Sequence, residues 1–225
     1  MQQELWMDYL DMLNLYKPIE ILIVNGDCID GKGERSGGTE QITADRDEQA
    51  EMASRCIQET GANTIVMTYG TPYHVGTQED WEDRVAERVE AYKIENEGKY
   101  DIEGKIFNCK HYISSSNIPH GRQTALSRDK LWTWIWSEMY GQPKADVIIR
   151  SHVHYYAQND DTALGFGLIT PALQGPSTKW GARFCQGWVD FGITIFDVTR
   201  GEHIQCQVER RPVSVSSQEP LKLTQ

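Results

Sequence analysis

Ile19-Glu20-Ile21-Leu22-Ile23-Val24-Asn25-Gly26-Asp27 is a short apolar run, rich in β-branched residues and closed by turn-forming residues. A run of this kind reads as a buried strand with a turn at its C-terminal end. Lys17-Pro18 stands just before it, and a proline there ends whatever precedes. Upstream, Leu5, Trp6, Tyr9, Leu10 and Leu13 recur at helical spacing, which predicts an amphipathic helix starting almost at residue one. Downstream, residues 31–38 hold four glycines among polar residues and read as a loop.

The same alternation continues along the chain. Residues 45–60 are helical in pattern, with Asp45 and Glu48 at capping-box spacing and Gly61 past the end. Residues 64–69 form a second strand that runs into Gly70-Thr71-Pro72-Tyr73-His74. Thr77 is the expected cap of a helix that places Trp81, Val85, Val89 and Tyr92 on one face. Residues 105–114 make a third strand, and 123–140, free of Gly and Pro, a helix closed by Gly141 and Pro143. In that helix Trp132, Trp136 and Met139 share a side and Trp134 takes another. A fourth strand, 145–150, ends at Ser151-His152-Val153-His154, and strands without helices follow at 164–172, 189–198 and 204–210. Alternating strands and helices followed by strands alone predict an α/β layered fold with mixed sheets. No repeat or linker divides the chain, so the expectation is a single domain over 1–211 and a loosely ordered, Ser-rich tail over 212–225.

Composition narrows the function. At 225 residues, 39% hydrophobic and 10% aromatic, the chain can bury a substantial core. Lys and Arg number 22 against 33 Asp and Glu, a net charge of −11, which excludes a broad cationic footprint on a polyanion. Cysteines 28, 56, 109, 185 and 206 form no CxxC, so neither a disulfide framework nor a Cys-rich zinc module is indicated, and a reducing cytoplasm fits. No window has the roughly 18 apolar residues of a membrane span. Gly31-x-Gly33-x-x-Ser36 lacks the third glycine of a dinucleotide loop, no Gly-Lys-Ser/Thr occurs, and Ser114 to Ser116 have no nucleophile elbow.

Metal-ligand residue types recur at predicted strand ends instead. Asp27 follows the first strand, His74 the second, His111 lies within the third, and His152 and His154 follow the fourth. Open α/β sheets bind ligands at those ends. Taken singly, Asp27 is an ordinary turn residue and each His an ordinary polar group. His152-x-His154 is more specific, because residues two apart on an extended segment point the same way and offer two imidazoles together. Arg122, between a strand and a helix, could hold a substrate phosphate bidentately or be a solvated loop arginine.

In their order, Gly26-Asp27, Gly70 through His74, His111 and Ser151-His152-Val153-His154 resemble the motifs of the calcineurin-like metallophosphoesterases: GD, GNH, a lone His, and GHxH. The loop around Asp30-Gly31-Lys32-Gly33 and Ser36-Gly37-Gly38-Thr39-Glu40 is similar to phage-encoded members. The resemblance implies a four-layer α/β/β/α sandwich of two mixed sheets. It also implies hydrolysis of a phosphomonoester or phosphodiester by metal-activated water. Two divalent transition metal ions (Mn, Fe, Zn or Ni) would be bridged by Asp27, with His111 and His152 on one, His154 on the other, and His74 as catalytic acid. Substrates of that class include nucleotides, nucleic acid and phosphoproteins.

Two departures from the family pattern qualify these expectations. The Asn ligand of GNH is absent from Gly70-Thr71-Pro72-Tyr73-His74, and the register of His74 is shifted. The family's first motif, Asp-x-His, belongs to a strand ahead of the first helix, so that strand and two ligands are expected to be missing here. A truncated form of an active enzyme is the favoured reading. A single-metal variant, and a catalytically inactive remnant that binds metal or protein, are the alternatives.

Overall fold

The computed structural model describes residues 2–213, apart from 34–37, 39, 40, 77–79, 117, 162, 163 and 176–188. The expected first helix is α1 (Gln2–Tyr16), which buries Tyr9, Met12 and Leu13. β1 (Ile21–Asn25) follows, then α2 (Arg46–Gln58), whose N-cap Asp45 accepts hydrogen bonds from the N–H groups of Asp47 and Glu48. Only half of the capping box forms, because the Asp45 N–H donates to Thr43 Oγ1. β2 (Thr64–Thr68) leads into the single turn α3 (Pro72–Val75) and then α4 (Trp81–Arg88). Thr77 falls outside the described residues, and the cap of α4 is Asp80, whose carboxylate accepts from the Glu82 N–H.

β3 (Lys93–Glu95), β4 (Gly98–Ile102) and β5 (Lys105–Cys109) come next, followed by a 3₁₀ turn at Pro119–Gly121 and α5 (Arg122–Tyr140). The chain then adds β6 (Val147–Arg150), β7 (Ala157–Asp161), β8 (Gly165–Ile169), β9 (Phe191–Asp197) and β10 (Gln205–Arg211). β3, β4 and β7 are strands with no counterpart in the sequence reading. All three lie at sheet edges, where one side faces no neighbour and an apolar run is not required. The expected tail lies, from 214 on, outside the described residues.

The strands make a parallel sheet β1-β2-β3, an antiparallel pair β9-β10, and a five-stranded mixed sheet β4-β5-β6-β8-β7. Successive strand residues face opposite sides, and the core follows from that alternation. Leu22 and Val24 of β1 pack with α2 and α4 around Ala50, Met67 and Val85. Ile23, on the other face, joins Phe196 of β9 against Phe107, Val147, Ile149 and Leu168 of the mixed sheet. Leu126 of α5 covers the far face of that sheet at Ala157 and Ile169, and α1 packs on Phe191 and Ile193 of β9. The order is helices, strands, strands, helix, the expected four-layer α/β/β/α sandwich. Its first strand layer is divided: β1 and β9 are each an edge, and no ladder joins them among the described residues. Among those residues no helix is long and apolar enough to cross a membrane.

Candidate metal centre

β1 ends in Asn25, whose side chain ties the two strand layers together. Its Nδ2 donates to Lys110 O (3.2 Å) and Ser151 Oγ (2.7 Å), beyond the ends of β5 and β6, while Oδ1 accepts from Thr68 Oγ1 of β2 (2.8 Å). The chain then turns sharply through Gly26 (φ 77°) and Asp27 (φ 52°). A Cβ on Gly26 would lie 2.7 Å from His111 Nδ1, so only glycine permits this approach. His152 (φ 67°) and His154 (φ 58°) are also left-handed. Three of the four expected metal ligands thus adopt a conformation that costs a non-glycine residue about 1 kcal/mol or more, a concentration of strain typical of functional sites.

Asp27 is the hub of the arrangement. Its Oδ1 accepts from the Thr71 N–H (2.6 Å) and hydroxyl (3.1 Å). Its Oδ2 faces His111 Nε2 at 2.8 Å, His152 Nδ1 at 3.8 Å and His74 Nε2 at 3.8 Å. His111 Nδ1 lies 2.7 Å from the carbonyl of Asn25, which can only accept, so Nδ1 carries a proton. The lone pair of neutral Nε2 would then meet a carboxylate lone pair, and a proton or a cation has to lie between them. The electrostatics agree. Burial works against a charged His111, but the hydrogen bond and charge of Asp27 outweigh it and raise its pKa. Burial would raise Asp27, yet His111 at 2.8 Å, the nearby His152 ring, the charge of His111 and the Thr71 N–H hold it well below the usual carboxylate range.

Asp27, His111 and His152 place their donor atoms within 4.8 Å of one another. One carboxylate oxygen and two imidazole nitrogens suit a divalent transition metal, and His152 Nδ1 is buried with no hydrogen-bond partner. The residues present therefore fit such an ion.

Not every expected residue joins this cluster. His154 stays outside it, and burial pushes its pKa down to about 4. The segment carrying His152 and His154 is not extended, because positive φ at both bends the chain after β6, and the charges of Asp27, His152, His74 and His111 all act on His154. His111 lies just past the end of β5 rather than within a strand. His74 comes to the rim, its Nδ1 3.1 Å from the Asp30 carbonyl. Arg122, the first residue of α5, stacks its guanidinium 4.4 Å from the ring centroid of Tyr155, next in sequence to His154. Its Nε is buried without a hydrogen-bond partner.

Three residues escaped the sequence reading: Asn25, Thr71 and Glu82. Glu82 is fully buried, and burial pushes its pKa up to about 7 against hydrogen bonds from the Cys28 and Gly70 N–H groups. In sequence Glu82 is one acid among several in a helix's first turn, and nothing there shows that it points inward.

No protein-family model matches the chain, and no curated protein matches it. Solved structures similar to it include a single-mutant Vps29 from Entamoeba histolytica, 10% identical, covering 92% of this chain and 89% of that one, with TM-score 0.47. An archaeal phosphodiesterase is 14% identical over 92% of this chain and 95% of its own, with TM-score 0.46. A predicted phosphoesterase from Streptococcus pneumoniae is 8% identical over 85% and 97%, with TM-score 0.38. The likeness is one of fold alone. At such identities and TM-scores it carries no conclusion about activity, which has to come from the site itself.

Proposed function

We propose that the protein is a metal-dependent phosphoesterase, hydrolysing a phosphomonoester or phosphodiester with metal-activated water. The observation that supports this most is the convergence of His111 Nε2 and His152 Nδ1 on Asp27 Oδ2. In this reading Asp27, His111 and His152 would hold one divalent cation, and Asp27 with His154 would hold a second. A divalent cation bound there would supply Lewis acidity toward a phosphoryl oxygen and acidify a water. His74 donates from Nε2 to the leaving oxygen, since its Nδ1 is engaged by the Asp30 carbonyl. Arg122, with no ion pair among the described residues, receives phosphate oxygens. Nucleotides and nucleic acid are within the substrate class, the latter through local contact given the net charge of −11. The free thiols of Cys28, Cys56, Cys109 and Cys206 support a cytoplasmic setting.

A second reading, a protein that binds metal without turning over an ester, is favoured by the three-donor cluster, which leaves His154 outside. Bound metal and turnover of an aryl phosphate and a bis-aryl phosphate with added Mn²⁺ separate the two. Turnover that disappears in Asp27→Ala supports the enzyme; metal retained without turnover supports the second reading.

A further inference from the structure

We propose that Glu82 is a positioning residue of this centre, a buried carboxylate that fixes the two loops between which Asp27 is held. The inference rests on the metal-centre reading above and goes beyond it, since Glu82 offers no atom to the cation cluster.

The geometry is a clamp. Oε1 of Glu82 accepts from the N–H of Cys28 at 2.9 Å, and Oε2 accepts from the N–H of Gly70 at 2.5 Å. Cys28 directly follows Asp27, whose backbone sits at φ 52°. Gly70 directly precedes Thr71, whose N–H and hydroxyl hold Asp27 Oδ1. A Cβ on Gly70 would overlap both Asp27 Oδ1 and its N–H, so the two loops are in close contact at the carboxylate. Glu82 thus grips the loop that carries Asp27 and the loop that orients its carboxylate, from a position at the start of α4 set by Asp80.

The arrangement is costly for a purely structural link. Glu82 is 0% exposed, and its carboxylate faces two backbone N–H dipoles, the Cys28 thiol and the like charge of Asp27, with no Lys or Arg among its ion-pair or hydrogen-bond partners in the described residues. Buried carboxylates without a cation destabilise the fold unless a neighbouring charge offsets them. A divalent ion held at Asp27 would be such a charge. Two acceptor oxygens are also required: an amide of the same shape has one, and would set its NH₂ against one of the two N–H groups.

The test compares wild type with Glu82→Gln by Mn²⁺ titration calorimetry and thermal melting. Mn²⁺ affinity is expected to fall by about tenfold to a hundredfold, as for loss of other outer-sphere partners, while the ester KM at saturating Mn²⁺ stays within about twofold. Unchanged Mn²⁺ affinity with a lowered Tm would overturn the proposal and leave Glu82 a structural link. Should Glu82→Gln not fold, Glu82→Asp keeps the charge and loses the reach, and the same fall in affinity is expected. Wild-type protein that binds no Mn²⁺ would overturn the metal-centre reading and Glu82's role with it; wild type that binds while both variants bind equally well overturns Glu82 alone.

Discussion

His111 is held at both ends of its ring: Nδ1 donates to the carbonyl of Asn25, and Nε2 points at Asp27 Oδ2 from 2.8 Å. Asn25 and Asp27 belong to the same strand end, so β1 both orients the imidazole and supplies the carboxylate it faces. A histidine locked in this way presents one nitrogen to whatever cation the carboxylate attracts.

In the metal-free protein that cation is a proton, and the pH dependence follows. His111 has a raised pKa, so its contribution to stability is fully present below about 6.5 and is lost as pH rises through the folded value. Glu82, raised from 4.5 to about 7, acts in the same direction over a lower window. His154, lowered from 6.5 to about 4, acts oppositely, its contribution present above 6.5 and lost as pH falls. Above pH 6.5 the change comes from His111, with only the last part of the Glu82 contribution, up to about 7, added to it. Urea denaturation with EDTA should show stability falling from pH 6.5 to 9, while Mn²⁺ affinity rises as the His111 proton is released. Stability that rises over that range would contradict the assignment.

Asp27→Asn removes the charge that holds the proton on His111. NMR titration should show the His111 pKa dropping below its wild-type value, since burial alone lowers it. Mn²⁺ affinity should fall by about a hundredfold or more, on the scale of losing a charged ligand.

His74→Gln tests the proton donor. The kcat for an aryl ester should drop about 10²-fold or more when the leaving phenol is a poor one, and much less when it is a good one. Equal losses with both leaving groups would remove His74 from that role.

Gly70→Ala drives a methyl into Asp27. No flexible side chain can yield there, because the overlap includes the Asp27 backbone N. Loss of Mn²⁺ binding is expected, with destabilisation of about 3 kcal/mol or more read from urea denaturation.

Arg150 tests the scaffold beneath the site. It is 2% exposed, with Nε 2.6 Å from Asp129 Oδ2 and Nη1 hydrogen-bonded to the carbonyls of Asn108 and Ile149. Arg150→Ala should cost about 3 to 5 kcal/mol by leaving Asp129 without its cation and removing a donor from two carbonyls, of which that of Ile149 keeps another partner in the Lys110 N–H. Arg55→Ala, at an exposed pair with Glu51 one turn away, should cost about 0.5 kcal/mol or less.

Local pattern determined much of this. The apolar run at 19–24, the proline before it and the turn residues after it specify β1 and the position of Asp27 at its end. Helical spacing specifies α1, and Gly141, left-handed at φ 63°, marks the end of α5. These are short-range signals, because periodicity and punctuation depend on neighbours in sequence. The polar edge strands β3, β4 and β7 carry no such signal, since an edge does not demand an apolar face.

The site was legible as a set of residue types and only partly as a geometry. The positions of Asp27 and His152 at strand ends could be read, whereas His111 reads as lying within its strand and stands past its end. His111 meets Asn25 across 86 residues, a closeness that only the pairing of the two strand layers creates. The same holds for Asn25 and Glu82, whose side chains are turned inward by packing. Tertiary structure also decided that His152 joins the three-donor cluster and His154 does not, where a left-handed backbone after β6 replaces strand alternation. Sequence by itself determined which donors stand at the ends of the strands. Which of them share one carboxylate oxygen was decided by the stacking of two sheet layers, where contacts distant along the chain set orientation at the scale of a hydrogen bond.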